Sequence, residues 1–323
     1  MNIILLSGGS GKRLWPLSNN IRSKQFIPFF KNKDGFYESM VQRIYHSIKR
    51  INKDAKVLIA TAENQIPLLK EQLGEDINIS IEPARRETFP AIALAVGYMH
   101  EKMGVKEDES IIVLPVDPYA EDDYFEALKE LDSLTNADEC KLSLIGVEPT
   151  EPTSKYGYII PTTNEHISFV ESFKEKPDKA KAEEYIKEGA LWSAGIYGFK
   201  VDYFLKKAQA MLNYKNYDSF LASYKDCPIL SVSYALAEKE KSTKVIRFNG
   251  KWEDLGSWEV FTSLMERDVF GKGIIHDSNN VKVVNETEIP VVVNGASNLI
   301  VAASKDGIYV SEISKSDEIK KII

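Results

Sequence analysis

The residues best suited to chemistry stand near the start of the chain, where a glycine-rich stretch runs into a group of cations. The glycines and cations, in chain order, are Gly8, Gly9, Gly11, Lys12, Arg13, Arg22, Lys24, Lys31 and Lys33. The first acidic residue is Asp34, although the whole chain has a formal net charge of −7. Glycine lets a backbone approach a ligand closely, and Lys and Arg pair with phosphate oxygens through charge-assisted hydrogen bonds. We therefore predict a phosphate-binding loop, because a glycine-rich turn with incidental charges would not account for the missing acids.

Two well-known glycine loops do not fit this stretch. A Walker loop needs Ser or Thr after its Gly-Lys pair, whereas Arg13 follows Gly11 and Lys12 here. A dinucleotide-binding fingerprint that started at Gly9 would need a glycine at the position of Leu14. The loop belongs to neither class.

The elements that must position this loop alternate along the chain. Apolar runs predict buried strands at residues 3–6, 57–60 and 111–114, with helical patterns between them. This alternation predicts a largely parallel sheet with helices on both faces, whose ligands bind beyond the carboxyl ends of the strands. Asp117 follows the third of these strands, where a carboxylate suits Mg²⁺, a cation that takes oxygen ligands and phosphates. The alternative for Asp117 is a turn or cap residue.

Several motifs resemble those of one family. The string G-G-S-G-K-R-L-W-P at residues 8–16, followed by K-Q-F, resembles the signature of sugar nucleotidyltransferases, and among them the mannose-1-phosphate guanylyltransferase family. The further motifs, in family order, are E-P-x-x-R-x-T-x-P-A from Glu82, Y-G-Y-I from Tyr156, E-K-P from Glu175, W-x-x-G-I from Trp192 and W-x-D-x-G-S-W from Trp252. The resemblance covers residues 1–266.

The resemblance implies a fold and a domain organisation. The fold is α/β, a Rossmann-like nucleotide-diphospho-sugar transferase sheet with a small C-terminal all-β, left-handed β-helix-like appendage. Short β-rich runs do recur after about residue 271. We therefore predict a nucleotidyltransferase catalytic domain at residues 1–270 and a small β-rich domain at residues 271–323.

The resemblance also implies roles for individual residues. The predicted nucleotide-binding residues are Leu6, Gly8, Gly9, Gly11, Lys12, Glu82, Arg86 and Thr88. The predicted sugar-phosphate-binding residues are Gly157, Glu175, Lys176 and Ser193. The predicted catalytic residues are Arg13 and Lys24, and the predicted ligands of a Mg²⁺ cofactor are Asp117 and Asp254.

The implied reaction joins GTP and mannose-1-phosphate to give GDP-mannose and pyrophosphate. A sugar-1-phosphate oxygen attacks the α-phosphorus in a single in-line displacement, so positioning and charge neutralisation suffice. Glu82 would select guanine, since a carboxylate accepts hydrogen bonds from both N1–H and N2–H. The alternative for Glu82 is a structural residue at a strand end.

The chain departs from the family pattern at several places. Lys12 stands where Thr is usual, Ser23 where Pro is usual and Glu87 where Asn is usual. Ser193 and Ala194 replace the usual Asn-Ser pair of the sugar site. These departures leave open another sugar-1-phosphate, such as another hexose or a heptose, or another nucleoside triphosphate. A non-catalytic sugar-nucleotide sensor is the least favoured reading, because both aspartates, Arg13 and Lys24 are present.

Composition limits the classes of partner and compartment. Of the 323 residues, 43% are hydrophobic and 28% charged, which is usual for a globular protein. The pI of about 5.4 argues against nucleic-acid binding. Two cysteines, Cys140 and Cys227, fit a reducing compartment, and no run is apolar enough for a signal peptide or membrane span. We expect a cytoplasmic protein without a membrane partner, and a homodimer stays open.

The loss of the usual Asn amide at Ser193 generates a prediction about sugar choice. A site that hydrogen-bonds a hydroxyl discriminates strongly, because a missing partner leaves a buried polar group unpaired. The protein should accept mannose-1-phosphate with a smaller advantage over other hexose-1-phosphates than is usual in the family. The double variant Ser193→Asn, Ala194→Ser should sharpen that advantage, measured as a ratio of kcat/KM values. A native enzyme already strict for mannose, and no sharper in the double variant, would contradict this.

Overall fold

The computed structural model describes residues 1–9 and 13–323. The strands of the described chain, β1 to β19 in order, are Asn2–Leu6, Phe30–Lys31, Tyr37–Glu38, Lys56–Ala62, Asn78–Glu82, Ser110–Pro115, Pro118–Ala120, Leu142–Val147, Tyr158–Pro161, Ile167–Lys174, Leu191–Lys200, Thr243–Phe248, Trp252–Asp254, Val269–Gly271, Gly273–His276, Asn279–Asn285, Val291–Asn294, Ser297–Ser304 and Gly307–Glu312. The α-helices, α1 to α8, are Met40–Ile51, Ile66–Leu73, Thr88–Glu101, Asp122–Asn136, Lys179–Lys187, Val201–Leu212, Tyr217–Ser223 and Trp258–Ser263. Short 3-10 helices occupy Lys24–Phe26, Glu63–Gln65, Tyr224–Asp226 and Ile313–Lys321, and a π-helix spans Ser233–Ala237.

The described chain divides into two units. The first, called here the sheet unit, contains Met1–Ser7, Ile44–Val116 and Ala120–Trp252. The second, called here the loop unit, contains Gly8–Arg43, Asp117–Tyr119 and Glu253–Ile323. These units differ in extent from the two predicted domains, and the predicted boundary after residue 270 stays a prediction.

The sheet unit is built on a nine-stranded sheet in the order β5-β4-β1-β6-β11-β8-β12-β10-β9. Strands β5, β4, β1 and β6 are mutually parallel, and β8 is parallel to β12. Strand β11 runs antiparallel to β6 and β8, and β10 runs antiparallel to β12 and β9. The predicted largely parallel sheet is therefore right for β5, β4, β1 and β6, whereas the rest of the sheet mixes one parallel pairing with antiparallel ones. A parallel crossover needs a dozen or more residues, and the link from β9 to β10 is shorter than that.

Helix α3 shows how burial determines local structure in the sheet unit. Ten of its residues, from Phe89 to Met99, are buried, as expected for an apolar helix enclosed by other elements. The sequence predicts Thr88 as the N-cap of this helix, because Thr is a common capping residue and Pro90 follows within the first turn, and that prediction is wrong. The helix begins at Thr88, and Glu87 occupies the cap position with φ 67° and ψ −176°. The Thr88 hydroxyl instead accepts a 2.8 Å hydrogen bond from the Val232 N–H.

The C-terminal part of the loop unit consists of short parallel strands. Strands β14, β16 and β18 pair in parallel, β19 closes that sheet antiparallel, and β15 pairs in parallel with β17. Buried Val281, Val283 and Val301 form the core between them. The predicted β-rich runs of this region are confirmed as strands.

The chain that follows the glycine loop is attached to these strands. Both guanidinium amines of Arg22 donate to Glu286, at 2.7 and 2.8 Å. The Ser304 hydroxyl donates a 2.6 Å hydrogen bond to the Pro16 carbonyl. A Cβ on Gly307 would lie 2.6 Å from the Trp15 ring, so glycine is required there. The loop unit thus fixes the chain on the C-terminal side of the glycine loop.

Two helix limits differ from those that the sequence predicts. Apolar residues at helical spacing predict a helix over residues 37–53, but α1 begins at Met40, because Tyr37–Glu38 pairs as a strand with Phe30–Lys31. The sequence also predicts a helix capped by Ser257 and running to Glu266. The cap is confirmed, since the Ser257 hydroxyl accepts from the Val260 N–H at 3.3 Å, whereas α8 ends at Ser263. Within the described ranges, no helix combines the length and apolar character that crossing a bilayer requires.

Candidate active site

Three distant parts of the chain meet at the ammonium group of Lys24. Its Nζ lies 2.8 Å from Asp117 Oδ2 and 3.2 Å from Asp254 Oδ1. Lys24 begins a short 3-10 helix, Asp117 follows β6 in the chain and Asp254 ends β13. Three residues predicted separately as catalytic or metal-binding therefore converge on one point.

The charges in this cluster depend on one another. Burial alone would lower the pKa of Lys24, but the two carboxylates outweigh that effect and raise it. Burial alone would raise the pKa of Asp117, but the Lys24 ammonium, assisted by the charge of Arg13, holds that pKa below its ordinary value. At neutral pH the cluster therefore holds a protonated lysine and an ionised Asp117.

A glycine that no sequence prediction singled out makes room for this cluster. A Cβ on Gly256 would lie 3.0 Å from Arg13 Nη1 and 3.0 Å from Asp254 Oδ2. A side chain at position 256 would press against the predicted catalytic Arg13 and the predicted metal ligand Asp254, which would each have to shift slightly. The signal was present in the W-x-D-x-G-S-W motif, where the glycine has a fixed place.

The described part of the glycine loop is held by a residue that departs from the family pattern. The Ser23 hydroxyl donates a 3.0 Å hydrogen bond to the Gly9 carbonyl, which the usual proline could not do. Gly8 is exposed. Leu6 ends β1 in the sheet unit and pairs with Ala60 and Pro115. The predicted nucleotide-binding residues Gly11 and Lys12 lie outside the described residues.

The other predicted nucleotide-binding residues share one neighbouring stretch of the sheet unit, residues 224–238, called here the 224–238 segment. The Tyr224 hydroxyl donates a 3.2 Å hydrogen bond to Glu82 Oε2. Arg86 donates to the Lys225 carbonyl. Burial raises the pKa of Glu82, although the Tyr224 hydrogen bond and the charge of Arg85 oppose this shift. The 224–238 segment therefore fixes the strand end where base recognition is predicted.

All four predicted sugar-phosphate residues lie together in the sheet unit. The Ser193 N–H donates a 2.8 Å hydrogen bond to the Gly157 carbonyl. A Cβ on Gly157 would lie 2.9 Å from Glu175 Oε2, so glycine is needed for Glu175 to occupy its place. Lys176 Nζ lies 3.1 Å from Glu175 Oε1, with 60% of the lysine side chain exposed against 11% for the glutamate. The cluster offers a half-buried acceptor beside an accessible cation.

Three residues that the sequence predictions missed surround this cluster. The Tyr197 hydroxyl shares a 3.2 Å hydrogen bond with the Ser233 hydroxyl. Glu238 Oε1 accepts a 3.2 Å hydrogen bond from the Glu175 N–H. Tyr197 lies in the same strand as Ser193, which is a weak sequence signal. Ser233 and Glu238 belong to the 224–238 segment, and nothing in the sequence pattern of that segment indicated a functional residue.

The predicted site residues fall into groups in the two units. Arg13, Lys24, Asp117 and Asp254 belong to the loop unit, and the base-reading and sugar-phosphate residues belong to the sheet unit. Among residues 1–9 and 13–323, no group of three or more His, Cys, Asp or Glu side chains could hold a metal ion. A metal in the aspartate pair would therefore need additional ligands from substrate or water.

The sheet unit has the Rossmann-like α/β architecture of nucleotidyltransferases. The sequence profile of the nucleotidyl transferase family matches residues 2–269, so the chain belongs to that family.

Within the family, the chain is similar to several named proteins. The chain is 28% identical over 353 residues to mannose-1-phosphate guanylyltransferase of Klebsiella pneumoniae, covering 99% of this chain and 72% of that protein. It is 30% identical over 353 residues to the alginate biosynthesis protein AlgA of Pseudomonas aeruginosa, covering 99% and 71%. A crystal structure of a mannose-1-phosphate geranyltransferase from Thermus thermophilus superposes with a TM-score of 0.83 at 26% identity, covering 99% and 97%. The predicted resemblance to mannose-1-phosphate guanylyltransferases is confirmed, and so is the prediction of an enzyme.

The paired charges at Lys24 generate a prediction about pH. Lys24→Met should raise the pKa of Asp117, because burial then acts without the compensating ammonium. A lowered carboxyl pKa stabilises the fold above the ordinary value of 3.8 and loses that contribution as the pH falls through the lowered value. The variant should lack this contribution and unfold more readily at neutral pH.

Carboxyl NMR titration of Asp117 and thermal unfolding against pH measure both effects. Lys31→Met is the matched control, since Lys31 pairs at 3.4 Å with the exposed Glu266. An Asp117 titration that is the same in Lys24→Met as in the native protein would contradict the interpretation.

Proposed function

We propose that the protein transfers a guanylyl group from GTP to mannose-1-phosphate, with Mg²⁺, giving GDP-mannose and pyrophosphate. The observation that carries this proposal is the meeting of Lys24, Asp117 and Asp254 at one point. Two carboxylates paired with one ammonium group, in the unit that also carries the cationic loop, suit phosphoryl transfer. The main requirement of that reaction is to neutralise the negative charge of the phosphates. The relatives named mannose-1-phosphate guanylyltransferase support the choice of substrates.

The proposed reaction needs no protein nucleophile. A phosphate oxygen of the sugar-1-phosphate attacks the α-phosphorus and forms a new phosphorus–oxygen bond. The bond from that phosphorus to the bridging oxygen of the β-phosphate breaks, and pyrophosphate leaves with the electron pair. Arg13 and Lys24 neutralise the charge that gathers on the phosphate oxygens, which lowers the barrier because the cations are already in place.

The aspartate pair fits a magnesium ion. Asp117 and Asp254 point their carboxylate oxygens at one cationic atom, and Mg²⁺ is commonly held by one or two carboxylates together with phosphates and waters. When bound, the ion would supply further charge neutralisation on the phosphates. Lys24 would keep the two carboxylates in place when no ion is bound.

The residues of the sheet unit give the proposal its selectivity. Glu82 would accept hydrogen bonds from the guanine N1–H and N2–H. The hydrogen bond from Tyr224 restricts the orientations that the Glu82 carboxylate can adopt. Glu175 would accept hydrogen bonds from sugar hydroxyls, and the exposed Lys176 would pair with the sugar phosphate. Arg86 and Thr88 would contribute indirectly, because their hydrogen bonds to Lys225 and Val232 fix the position of the 224–238 segment.

Three further proposals concern the C-terminal strands, the cellular compartment and the oligomeric state. We infer that the parallel strands β14 to β18 form a short β-helix-like stack, and that the protein works in the cytoplasm. A homodimer would use the exposed apolar side chains of these strands, such as Ile274 and Val292.

A pyrophosphate-release screen tests the proposed function. Four nucleoside triphosphates are offered against a panel of hexose- and heptose-1-phosphates, with and without magnesium. Release with GTP and mannose-1-phosphate above every other pair supports the proposal. A different preferred pair would reassign the substrates, and no release with any pair would overturn the transferase proposal.

The aspartate pair generates a prediction about magnesium. Asp117→Asn and Asp254→Asn should each lower kcat/KM by about 100-fold or more, since a bound ion supplies several kcal/mol of charge stabilisation. The fold should survive, as judged by thermal unfolding. Asp268→Asn is the control, because Asp268 forms a surface ion pair with Lys282. Near-native turnover at ordinary magnesium in either variant would reject that residue as a ligand.

The Glu82 position generates a prediction about the base. Glu82→Gln replaces one of the two acceptor oxygens with a donor, which opposes a guanine N–H. The variant should lose its preference for GTP over ATP by more than it loses thermal stability. A native enzyme that already prefers a pyrimidine triphosphate would rule out this role for Glu82.

A further inference from the structure

One buried hydroxyl lies among the predicted sugar-site residues without a role in the reaction proposed above. Tyr197, in β11, is 4% exposed. Its hydroxyl shares a 3.2 Å hydrogen bond with Ser233 and also reaches the Ser193 side chain. A phenol donates one hydrogen bond and accepts others, so Tyr197 can connect two serine hydroxyls at once.

The surroundings of Tyr197 keep its hydroxyl protonated. Burial raises its pKa to about 12, the nearby Glu175 carboxylate adds to that rise, and the hydrogen bonds with Ser233 and Ser193 oppose it. The phenol therefore keeps its proton over the whole physiological range. It is a permanent hydrogen-bond donor beside the carboxylate predicted to accept from the sugar.

The backbone around Ser193 leaves its hydroxyl in a defined place. The Ser193 N–H donates to Gly157, and its Oγ accepts a 3.3 Å hydrogen bond from the Gly195 N–H. Gly195 has φ 71°, a conformation that favours glycine. Ser193 is half-buried, whereas Tyr197 is buried. Ser193 is thus the accessible member of the pair, and Tyr197 supports it from the interior.

The second partner of Tyr197 is placed by an unusual element. Ser233 begins the π-helix Ser233–Ala237, a helix type found often at functional sites. The same segment supplies Glu238, which accepts from the Glu175 N–H. Two contacts from one short stretch therefore hold two members of the sugar cluster, Tyr197 and Glu175.

From these contacts we propose that Tyr197 is a positioning and specificity-determining residue of the sugar-phosphate site. It orients the Ser193 hydroxyl toward a hydroxyl of the hexose-1-phosphate, next to the Glu175 carboxylate. This inference rests on the proposed function, because it assigns selectivity to the same site. An analogue with that hydroxyl missing or inverted leaves the serine–tyrosine pair without a partner, and such sites reject their analogues strongly.

The first test compares Tyr197→Phe with a matched control. Tyr203→Phe also deletes a hydroxyl from a buried tyrosine of the sheet unit, one that donates to Glu240 at 2.7 Å. In Tyr197→Phe, KM for the preferred sugar-1-phosphate should rise about 10-fold, the effect of losing one well-placed hydrogen bond. KM for the nucleoside triphosphate should stay unchanged, and discrimination against 2-deoxy and epimeric sugar phosphates should fall. Tyr203→Phe should change none of these.

A double-mutant cycle tests whether Tyr197 acts through Ser193. If it does, adding Tyr197→Phe to Ser193→Ala should cause little further loss of sugar affinity or discrimination, because the residue being oriented is already gone. Losses that simply add would show that Tyr197 does not work through Ser193 and would overturn the proposal. Equal discrimination in Tyr197→Phe and the native enzyme would also overturn it.

Ser233→Ala keeps the test decisive if Tyr197→Phe does not fold. It removes the other hydrogen-bond partner of Tyr197 at a half-buried position, so sugar discrimination should fall in the same direction by a smaller factor. Unchanged discrimination in this variant would count against the proposal. A native enzyme that releases no pyrophosphate with any sugar-1-phosphate would instead overturn the proposed function, so the two failures are distinguishable.

Discussion

The ion-paired cluster at Lys24 is the interaction on which the candidate site of the loop unit depends. Asp117 and Asp254 point toward a common position, where two unpaired carboxylates would repel each other and be costly to bury. The Lys24 ammonium pairs with both carboxylates, and in doing so it links residues from three distant parts of the chain. The two carboxylates together define a point where positive charge is favourable. The site proposed for phosphate chemistry and this ion-pair network are thus the same set of atoms.

The strands at the C-terminus act as a platform for the chain that carries Lys24. Arg22 is clamped by Glu286, and the Pro16 carbonyl is bound by Ser304. Reactive groups must be held within a fraction of an ångström of their productive geometry, which a loop can achieve when a packed element supports it. The β-rich region therefore contributes to the candidate active site by holding the chain that carries Lys24, although none of the predicted site residues lies within its strands.

The 224–238 segment has a comparable part in the sheet unit. It contacts Glu82 and Arg86 at the strand end where base recognition is proposed, and it contacts Glu175 and Tyr197 in the sugar cluster. Residues proposed for base and sugar recognition are therefore contacted by one short segment of the chain. Such shared support restricts the geometry of both groups.

Local pattern by itself predicted the buried strands at residues 3–6, 57–60 and 111–114, which lie within β1, β4 and β6. The resemblance to the family came from the motifs, whose glycine, lysine and aspartate residues have few substitutes in a phosphate site of the predicted kind. Tertiary structure alone decided the antiparallel placement of β11, the double pairing of Lys24 and the contacts of Tyr197. The physical reason is that strand pairing and side-chain convergence depend on residues far apart in the chain, such as Lys24 and Asp254. Residue type and local spacing indicate the chemistry that each side chain can perform, whereas the fold decides which partners that side chain contacts.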